Sequence, residues 1–424
     1  MKKYWLLYSM LVFTGKITAQ VNNAVCGWKQ SAPPVQIDAN RRNQPAINDD
    51  GAVYTVPIVV HVIHTGTAIG SADNPSNASI NSMLKTLNNA WHKSGATYGG
   101  ADMKIQFKLA VNAPGCTATN GINRVNGNSI ANYALGGITN INYPGSADEI
   151  LVKNLSRWPS TDYINIWIVN RINGNANYPG GYAYFPEYNT AFTDGLVLQA
   201  SVVNATNKTI VHEMGHYFNL YHTFYDGANE TTCAANNVCT EDGDKICDTE
   251  VHLNVPCSTA KNSCNNNSPF IVADAAKNYT VLNNFMGYTD CQWMFTEGQK
   301  TRARAALFSF RYGLVTSNAL TVSNGVSPAV ACIPTATYGL SPYYGVQKVE
   351  FNTLSVYSNT SQADGAFYID RTCNQSVTVT QGKKYTLTVT GSYRNPHRIK
   401  VFIDYNNDGD FGDANETILS VYAD

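Results

Sequence analysis

A mixed α/β (α+β) unit built on a twisted mixed sheet, followed by a β-sandwich, is the fold class predicted by this chain of 424 residues. Three observations carry the expectation. Up to Leu220, apolar runs of strand length alternate with stripes of helical period. An irregular stretch follows, holding six of the ten cysteines, from Cys233 to Cys291. Beyond Cys332 only short alternating strands remain, with no helix-period run between them.

The elements follow in order. Lys2 and Lys3, then the apolar stretch Tyr4 to Phe13 and the small-residue exit Ile17-Thr18-Ala19-Gln20, make residues 1–20 a secretory signal. Ten apolar residues are too few to span a bilayer, and no later segment is long enough either. Residues 21–51 are polar, hold Cys26-Gly27 and Arg41-Arg42, and read as a pro-segment. The main unit spans 52–314. Val56–Ile63 is a continuous apolar run and so a buried strand. Ile80, Met83, Leu84, Leu87 and Trp91 fall on one helical stripe, with Ser79 placed as N-cap. Ile105, Phe107 and Leu109 alternate with polar neighbours, giving a half-buried strand. A helix over Ala147–Trp158, a strand over Ile164–Val169 and a short strand near Tyr182–Phe185 come next. Residues 315–330 are rich in Ser, Asn and Thr and read as a linker. The second unit, 331–424, offers strands at Lys348–Ser355, Ala366–Asp370, Lys384–Gly391 and Arg398–Tyr405.

Within the first unit, one stretch concentrates chemistry. His212-Glu213-Met214-Gly215-His216 continues to Asn219 and His222, inside a helix expected over 205–219. His212 and His216 are four residues apart, so both imidazoles leave one helical face. That spacing suits two nitrogen ligands of a tetrahedral zinc ion. Glu213 sits about 100° round the helix, where it can act on a metal-bound water without being a ligand. His222 reaches the same ion only if the helix ends and the chain turns before it.

The pattern resembles the metzincin zinc signature, H-E-x-x-H-x-x-G-x-x-H, with Asn219 in place of the usual glycine. Asn is the non-glycine residue that best tolerates the left-handed conformation such a turn requires. Asn283-Asn284-Phe285-Met286-Gly287-Tyr288 is similar to the methionine turn of that clan, and the tyrosine two after Met286 is typical of its pappalysin (ulilysin-like) branch. Pro57–Val62, Asn165–Ile168, Gly181–Pro186, Asp194-Gly195, Asp248-Thr249 and Cys291–Thr296 extend the resemblance over residues 52–312. It implies a zincin catalytic domain with an active-site helix, three zinc-ligating histidines, Glu213 as general base and the Tyr288 hydroxyl stabilising the oxyanion. It also implies calcium held by residues such as Asp244, Asp248 and Thr249, and Cys291 paired with Cys257 or Cys264. Substrate would lie extended along Tyr182, Ala183 and Tyr184. Asp290 would line the S1′ pocket and favour cleavage before Arg or Lys, a choice that Arg41-Arg42 at the pro-segment junction matches. Cys26 would act as a latency switch, its thiolate on zinc; its alternative is a disulfide with Cys116.

The second unit contains Asp404, Asn406, Asp408, Gly409 and Asp410, oxygen ligands at alternate positions with glycine at the sixth. An EF-hand-type calcium loop begins this way, although Asn415 stands where its final glutamate belongs. A solvated Asx-rich turn is the other reading. The surrounding stretch resembles the GEVED domain of exported bacterial proteins, and the chain ends short of all the strands such a domain needs.

Composition excludes some partners. Charged residues make up 14% and the net charge is −1, so no basic face exists for nucleic acid. The ten cysteines fit an oxidising, extracellular or cell-surface space, as staples of a loop-rich region rather than as a second zinc site, since no C-x-x-C pair occurs. The expectation is a secreted, disulfide-bonded zinc endopeptidase made as a zymogen and acting on proteins or peptides. The alternative is a zinc-binding but inactive surface adhesin or binding protein.

Overall fold

A computed structural model describes residues 49–423, apart from 94–97, 187–191, 226–231, 236, 256–263, 265–280, 290, 323–340, 342, 359–366, 374 and 393–395. Cys26, Arg41-Arg42, Cys257 and Asp290 lie outside the described residues.

Strand β1 (Tyr54–His64) is the spine of the first unit. Its eight consecutive buried positions, Val56–Ile63, are apolar except for His61, as suits a strand covered on both faces. Helix α1 (Asn77–Trp91) crosses over, and β2 (Ile105–Leu109) pairs in parallel with the first half of β1. Strand β3 (Ile122–Asn126) pairs in parallel with the second half. After the short helix α2 (Glu149–Asn154), β4 (Ile164–Val169) takes the other edge of β1. Strand β5 (Gly181–Ala183) and β6 (Leu196–Gln199) complete the sheet, in the order β5-β6-β4-β1-β2. Only β5 runs antiparallel, to β6, and it forms the edge.

The active-site helix α3 (Thr209–Tyr217) and α1 pack on one face of this sheet, sharing a core with Ile58, Val60, Ile166, Leu196, Met286 and Leu307. Trp91 is the centre of an aromatic cluster with Phe107, Phe218 and Phe295, ring centroids 5.2–5.4 Å away. A smaller core, with Trp167, Val169, Val152 and Tyr133, lies on the opposite face. Helix α4 (Glu297–Phe310) closes the unit and begins with a capping box between Thr296 and Gln299.

Several boundaries differ from the sequence expectation for identifiable reasons. The N-cap of α1 is Ser76, whose hydroxyl accepts from the Ser79 amide; Ser79 lies inside the helix. The helix over Ala147–Trp158 is only Glu149–Asn154, because Asp148 caps its start and the chain leaves it toward β4. Strand β3 was missed since its sequence, INRVN, is too polar to signal a strand; its pairing with β1 fixes it. The linker does not begin at Val315: Gly313–Thr316 is helical and Asn318–Leu320 forms a 3-10 turn against the catalytic unit.

The second unit is all-β, as expected. Strands β7 (Val346–Phe351), β8 (Leu354–Tyr357) and β9 (Leu387–Gly391) form one antiparallel sheet, and β10 (His397–Phe402) pairs with β11 (Thr417–Ala423). Lys348–Ser355 is therefore not one strand but a hairpin, turning at Asn352 with φ +53°. The described part of Ala366–Asp370 is not a strand either; it leads into a turn capped by the Asp370 carboxylate.

That turn docks the second unit on the first. Cys373 is disulfide-bonded to Cys116, and its carbonyl accepts from the Asn112 side chain at 3.1 Å. Arg371 pairs with the fully buried Asp162 at 3.3 Å. The Cys26–Cys116 alternative is thereby overturned. So is Cys264 as the partner of Cys291, since Cys264 is bonded to Cys233. Cys239–Cys247 closes a small loop, and Cys291 is also disulfide-bonded.

The Cys116–Cys373 cross-link spans 257 residues, so its loss should cost stability chiefly by releasing the unfolded chain. Cys116→Ser with Cys373→Ser is expected to remove about 3–5 kcal/mol, read as a lower urea midpoint, while zinc content stays unchanged. An unaltered midpoint would refute this account of the docking.

Candidate active site

Helix α3 delivers His212 and His216 from one face, and its ending delivers His222. The last turn closes as a Schellman motif: the Asn219 amide donates to the His216 carbonyl and the Leu220 amide to the Gly215 carbonyl, both at 2.9 Å. Asn219 adopts φ +70°, the left-handed conformation that its side chain tolerates. Arg302 of α4 donates to the Asn219 carbonyl at 2.6 Å and holds the turn. The chain then doubles back, and the three Nε2 atoms meet at 3.0–3.2 Å from one another.

Hydrogen bonds fix what those atoms are. The His212 Nδ1 donates to the Phe285 carbonyl and the His216 Nδ1 to the Leu220 carbonyl, each at 2.8 Å. A carbonyl only accepts, so the proton sits on Nδ1 and each Nε2 is a bare lone pair. Burial keeps both rings neutral, with His212 pushed down to about 3 and His216 well below the imidazole range. Lone pairs aimed at one another at this distance repel. A divalent cation accepting all three removes the conflict, and three imidazoles are a donor set that zinc fits. Among the described residues, no other group of three His, Cys, Asp or Glu ligand atoms gathers in this way.

The floor of the site is the turn Asn284–Gly287. Asn284 Oδ1 accepts from the Met286 amide at 2.9 Å, and the Asn284 and Gln299 amides bond reciprocally at 2.8 and 2.9 Å. Met286 is fully buried. A Cβ on Gly215 would lie 2.2 Å from its sulfur, so only glycine lets the helix rest on this methionine. Glu213 is buried beside the histidines, and burial alone lifts its carboxyl to about 8. A bound cation would draw it down again. The Tyr288 ring stands 4.6 Å from His222 and 5.4 Å from His212, half exposed at the mouth. Phe224 stacks on His222 at 4.9 Å, and Phe185, just after β5, packs 5.1 Å from His216.

Residues 147–308 match the model of the family described as pregnancy-associated plasma protein-A. An extracellular metalloprotease of Pyricularia oryzae is 28% identical over 276 residues, covering 62% of this chain and 78% of its own. One from Podospora anserina is 28% identical over 273 residues, covering 61% and 74%. The structure of mature mirolysin from Tannerella forsythia, in complex with a cleaved peptide, superposes with a TM-score of 0.50 at 26% identity, covering 64% of this chain and 99% of that one. In sequence and in fold the first unit is therefore similar to pappalysin-type metzincin metalloendopeptidases.

In the first unit the other expected site residues separate. Asp244 and Thr249 meet, the Thr249 hydroxyl donating to Asp244 Oδ1 at 2.8 Å. Asp244 Oδ2 is buried without a donor, and burial lifts this carboxyl to about 8. Asp248 turns away to cap α4, accepting from the Thr296 hydroxyl and the Gly298 amide at 2.7 and 2.8 Å. In the second unit, Asp404 accepts from the Asn407 and Gly409 amides, while Asp408 and Asp410 accept from amides two residues on. Glu416 accepts from the Tyr405 and Asp413 amides. Tyr182 and Tyr184 do not offer their side chains to the cleft. Both hydroxyls are bonded to Glu149, a residue that sequence reasoning missed because its partners lie more than thirty positions away.

Asn219→Gly should leave stability and zinc content unchanged. Asn219→Val forces a β-branched residue to φ +70° and is expected to cost about 1–3 kcal/mol and to weaken zinc retention. Equal melting temperatures for the two variants would contradict the role given to this turn.

Proposed function

We propose that this protein is exported and hydrolyses internal peptide bonds of proteins or peptides, with zinc held by His212, His216 and His222. The convergence of three histidine Nε2 atoms beside a buried Glu213 is the observation that carries this reading. Zinc bound there would supply Lewis acidity, lowering the pKa of a water toward neutrality and polarising the scissile carbonyl. Glu213 is the general base. It takes a proton from the attacking water and hands it to the leaving amine. The Tyr288 hydroxyl, at the mouth beside His212 and His222, donates to the oxyanion.

Substrate lies extended against the open edge of β5, as an added antiparallel or parallel strand. Among the described residues no strand occupies that edge. The Gln199 amide donates to the Gly180 carbonyl at 2.8 Å. By the alternation of an antiparallel ladder, Tyr182 then bonds to Val197, and the amides and carbonyls of Gly181 and Ala183 point outward. The mirolysin structure, which holds a cleaved peptide, supports a peptide as ligand. The relatives described as extracellular metalloproteases support export.

Purified protein should cut casein, stop when zinc is chelated and recover when zinc is restored. Glu213→Ala is expected to keep about one zinc per chain by atomic absorption and to lose at least ~100-fold in rate. Retention of most of the wild-type rate by this variant would eliminate the general-base assignment.

Preference for Arg or Lys after the cut is the finer part of the proposal, with Asp290 as its carboxylate. Cleavage sites in a peptide library, mapped by mass spectrometry, should cluster before basic residues and lose that bias in Asp290→Ala. Cuts before apolar residues, unchanged by the substitution, would rule the pocket out.

A further inference from the structure

Beneath the edge strand, on the face away from the zinc helix, lies a buried charge that nothing in the catalytic chemistry uses. Glu149 of α2 is 5% exposed and Lys153, one turn on, is fully buried. Their ion pair measures 2.6 Å, and Lys153 Nζ also donates to the Thr193 carbonyl at 2.7 Å. The ammonium lies 4.8 Å from the Trp167 ring centroid and 5.3–5.6 Å from those of Tyr182 and Tyr184. Burying two charges is expensive, and a pair retained there is better understood through what it fixes than through stability.

What it fixes is β5. Residues two apart on a strand share a face, so Tyr182 and Tyr184 point together toward α2. Their hydroxyls donate to the two oxygens of the one carboxylate, Tyr182 to Oε1 at 3.0 Å and Tyr184 to Oε2 at 2.7 Å. Gly181, Ala183 and Phe185 consequently face α3. A Cβ on Gly181 would meet Leu198 at 2.8 Å and Thr209 of α3 at 3.1 Å, so the strand lies tight on the active-site helix. Phe185 reaches His216. The ladder of β5 with β6 is three residues long, too short to hold register by itself. A slip of one residue would turn both tyrosines into the cleft and reverse which amides face outward.

We infer that Glu149 is a positioning residue for substrate: through Tyr182 and Tyr184 it holds the register of the edge strand, so that the Gly181 and Ala183 backbone groups stand where an extended peptide pairs with them. This rests on the reading that substrate binds as a strand on β5. Lys153 holds the carboxylate in place through their 2.6 Å contact, and the cluster lies on the sheet face away from the zinc helix.

The test uses the full chain with zinc, two variants, a long and a minimal substrate, and singly N-methylated forms of the long one. Tyr182→Phe with Tyr184→Phe deletes only the two hydroxyls and keeps the rings, and Glu149→Gln keeps the shape while removing the charge. For a peptide long enough to run along β5, both variants should raise KM about tenfold, with kcat within twofold, since the first deletes two hydrogen bonds to a charged acceptor and the second removes the acceptor's charge. For a minimal acyl dipeptide amide that does not reach the strand, KM and kcat should stay at wild-type values. Loss of folding or of zinc would instead depress turnover of both substrates together. If Glu149→Gln fails to fold, the tyrosine pair decides alone. Unchanged KM for the long peptide in the tyrosine variant, or equal effects on both substrates, overturns the inference. Single N-methylation along the long peptide tests the strand reading separately. If no N-methyl position raises the wild-type KM, that reading fails and the inference falls with it. If N-methylation raises KM but the tyrosine pair does not, only the role of Glu149 is refuted.

Discussion

Three imidazole Nε2 atoms are held within about hydrogen-bonding distance of one another, two of them on rings whose Nδ1 protons are committed to carbonyls, and the surrounding structure is organised to impose this arrangement. The helix supplies two of the rings by periodicity. The third needs the chain to reverse within a few residues, which the left-handed Asn219 and the two 2.9 Å bonds of its turn accomplish. Backbone carbonyls of Phe285 and Leu220 then dictate the tautomers, so the lone pairs all face inward. Nothing in this scheme depends on a flexible side chain: the orienting acceptors are main-chain atoms in turns that are themselves bonded on both sides.

A continuous set of contacts carries this rigidity outward. His212 is oriented by Phe285, whose turn is held by Asn284, whose amide is matched by Gln299, which also closes the capping box of α4. The Asp248 carboxylate caps the same helix start. The tail of α4 returns to the zinc helix through Arg311, which donates to the Tyr217 carbonyl, pairs with Asp194 and lies 3.3 Å above the Tyr217 ring. One helix thus braces both the floor and the back of the site. Both oxygens of Asp248 accept from donors at the start of α4, so this carboxylate serves the brace whatever else it holds.

Local signals were legible in the sequence. The apolar run of β1, the stripe of α1 and the His-Glu-His spacing each lie within one element, where periodicity reports burial directly. Asn219 was readable because conformational tolerance belongs to a single residue. Long-range pairings were not. Strand β3 has no apolar alternation of its own and exists because the second half of β1 has a free edge. The docking of Arg371 on Asp162 and of Cys373 on Cys116 joins segments more than two hundred residues apart. The sequence marks Tyr182 to Tyr184 as a strand along which substrate would lie extended, but which way its side chains face cannot be decided until their partner, Glu149, is known.

The edge strand shows how a liability becomes a binding surface. An exposed sheet edge pairs with whatever strand arrives, and proteins usually shorten, twist or charge such edges. Here the edge is kept short, at three residues, and no charged side chain stands on its outward line. Charge is placed underneath instead, in the Glu149–Lys153 pair, where it restrains the strand without obstructing it. Glycine at 180 and 181 brings the backbone onto the zinc helix, so that a peptide added to this edge, in the proposed mode of binding, would lie beside the three histidines. A carboxylate on the outer line would have protected the edge and closed it to substrate. Moving it to the opposite face preserves access, and the desolvation of two charges is what that arrangement costs.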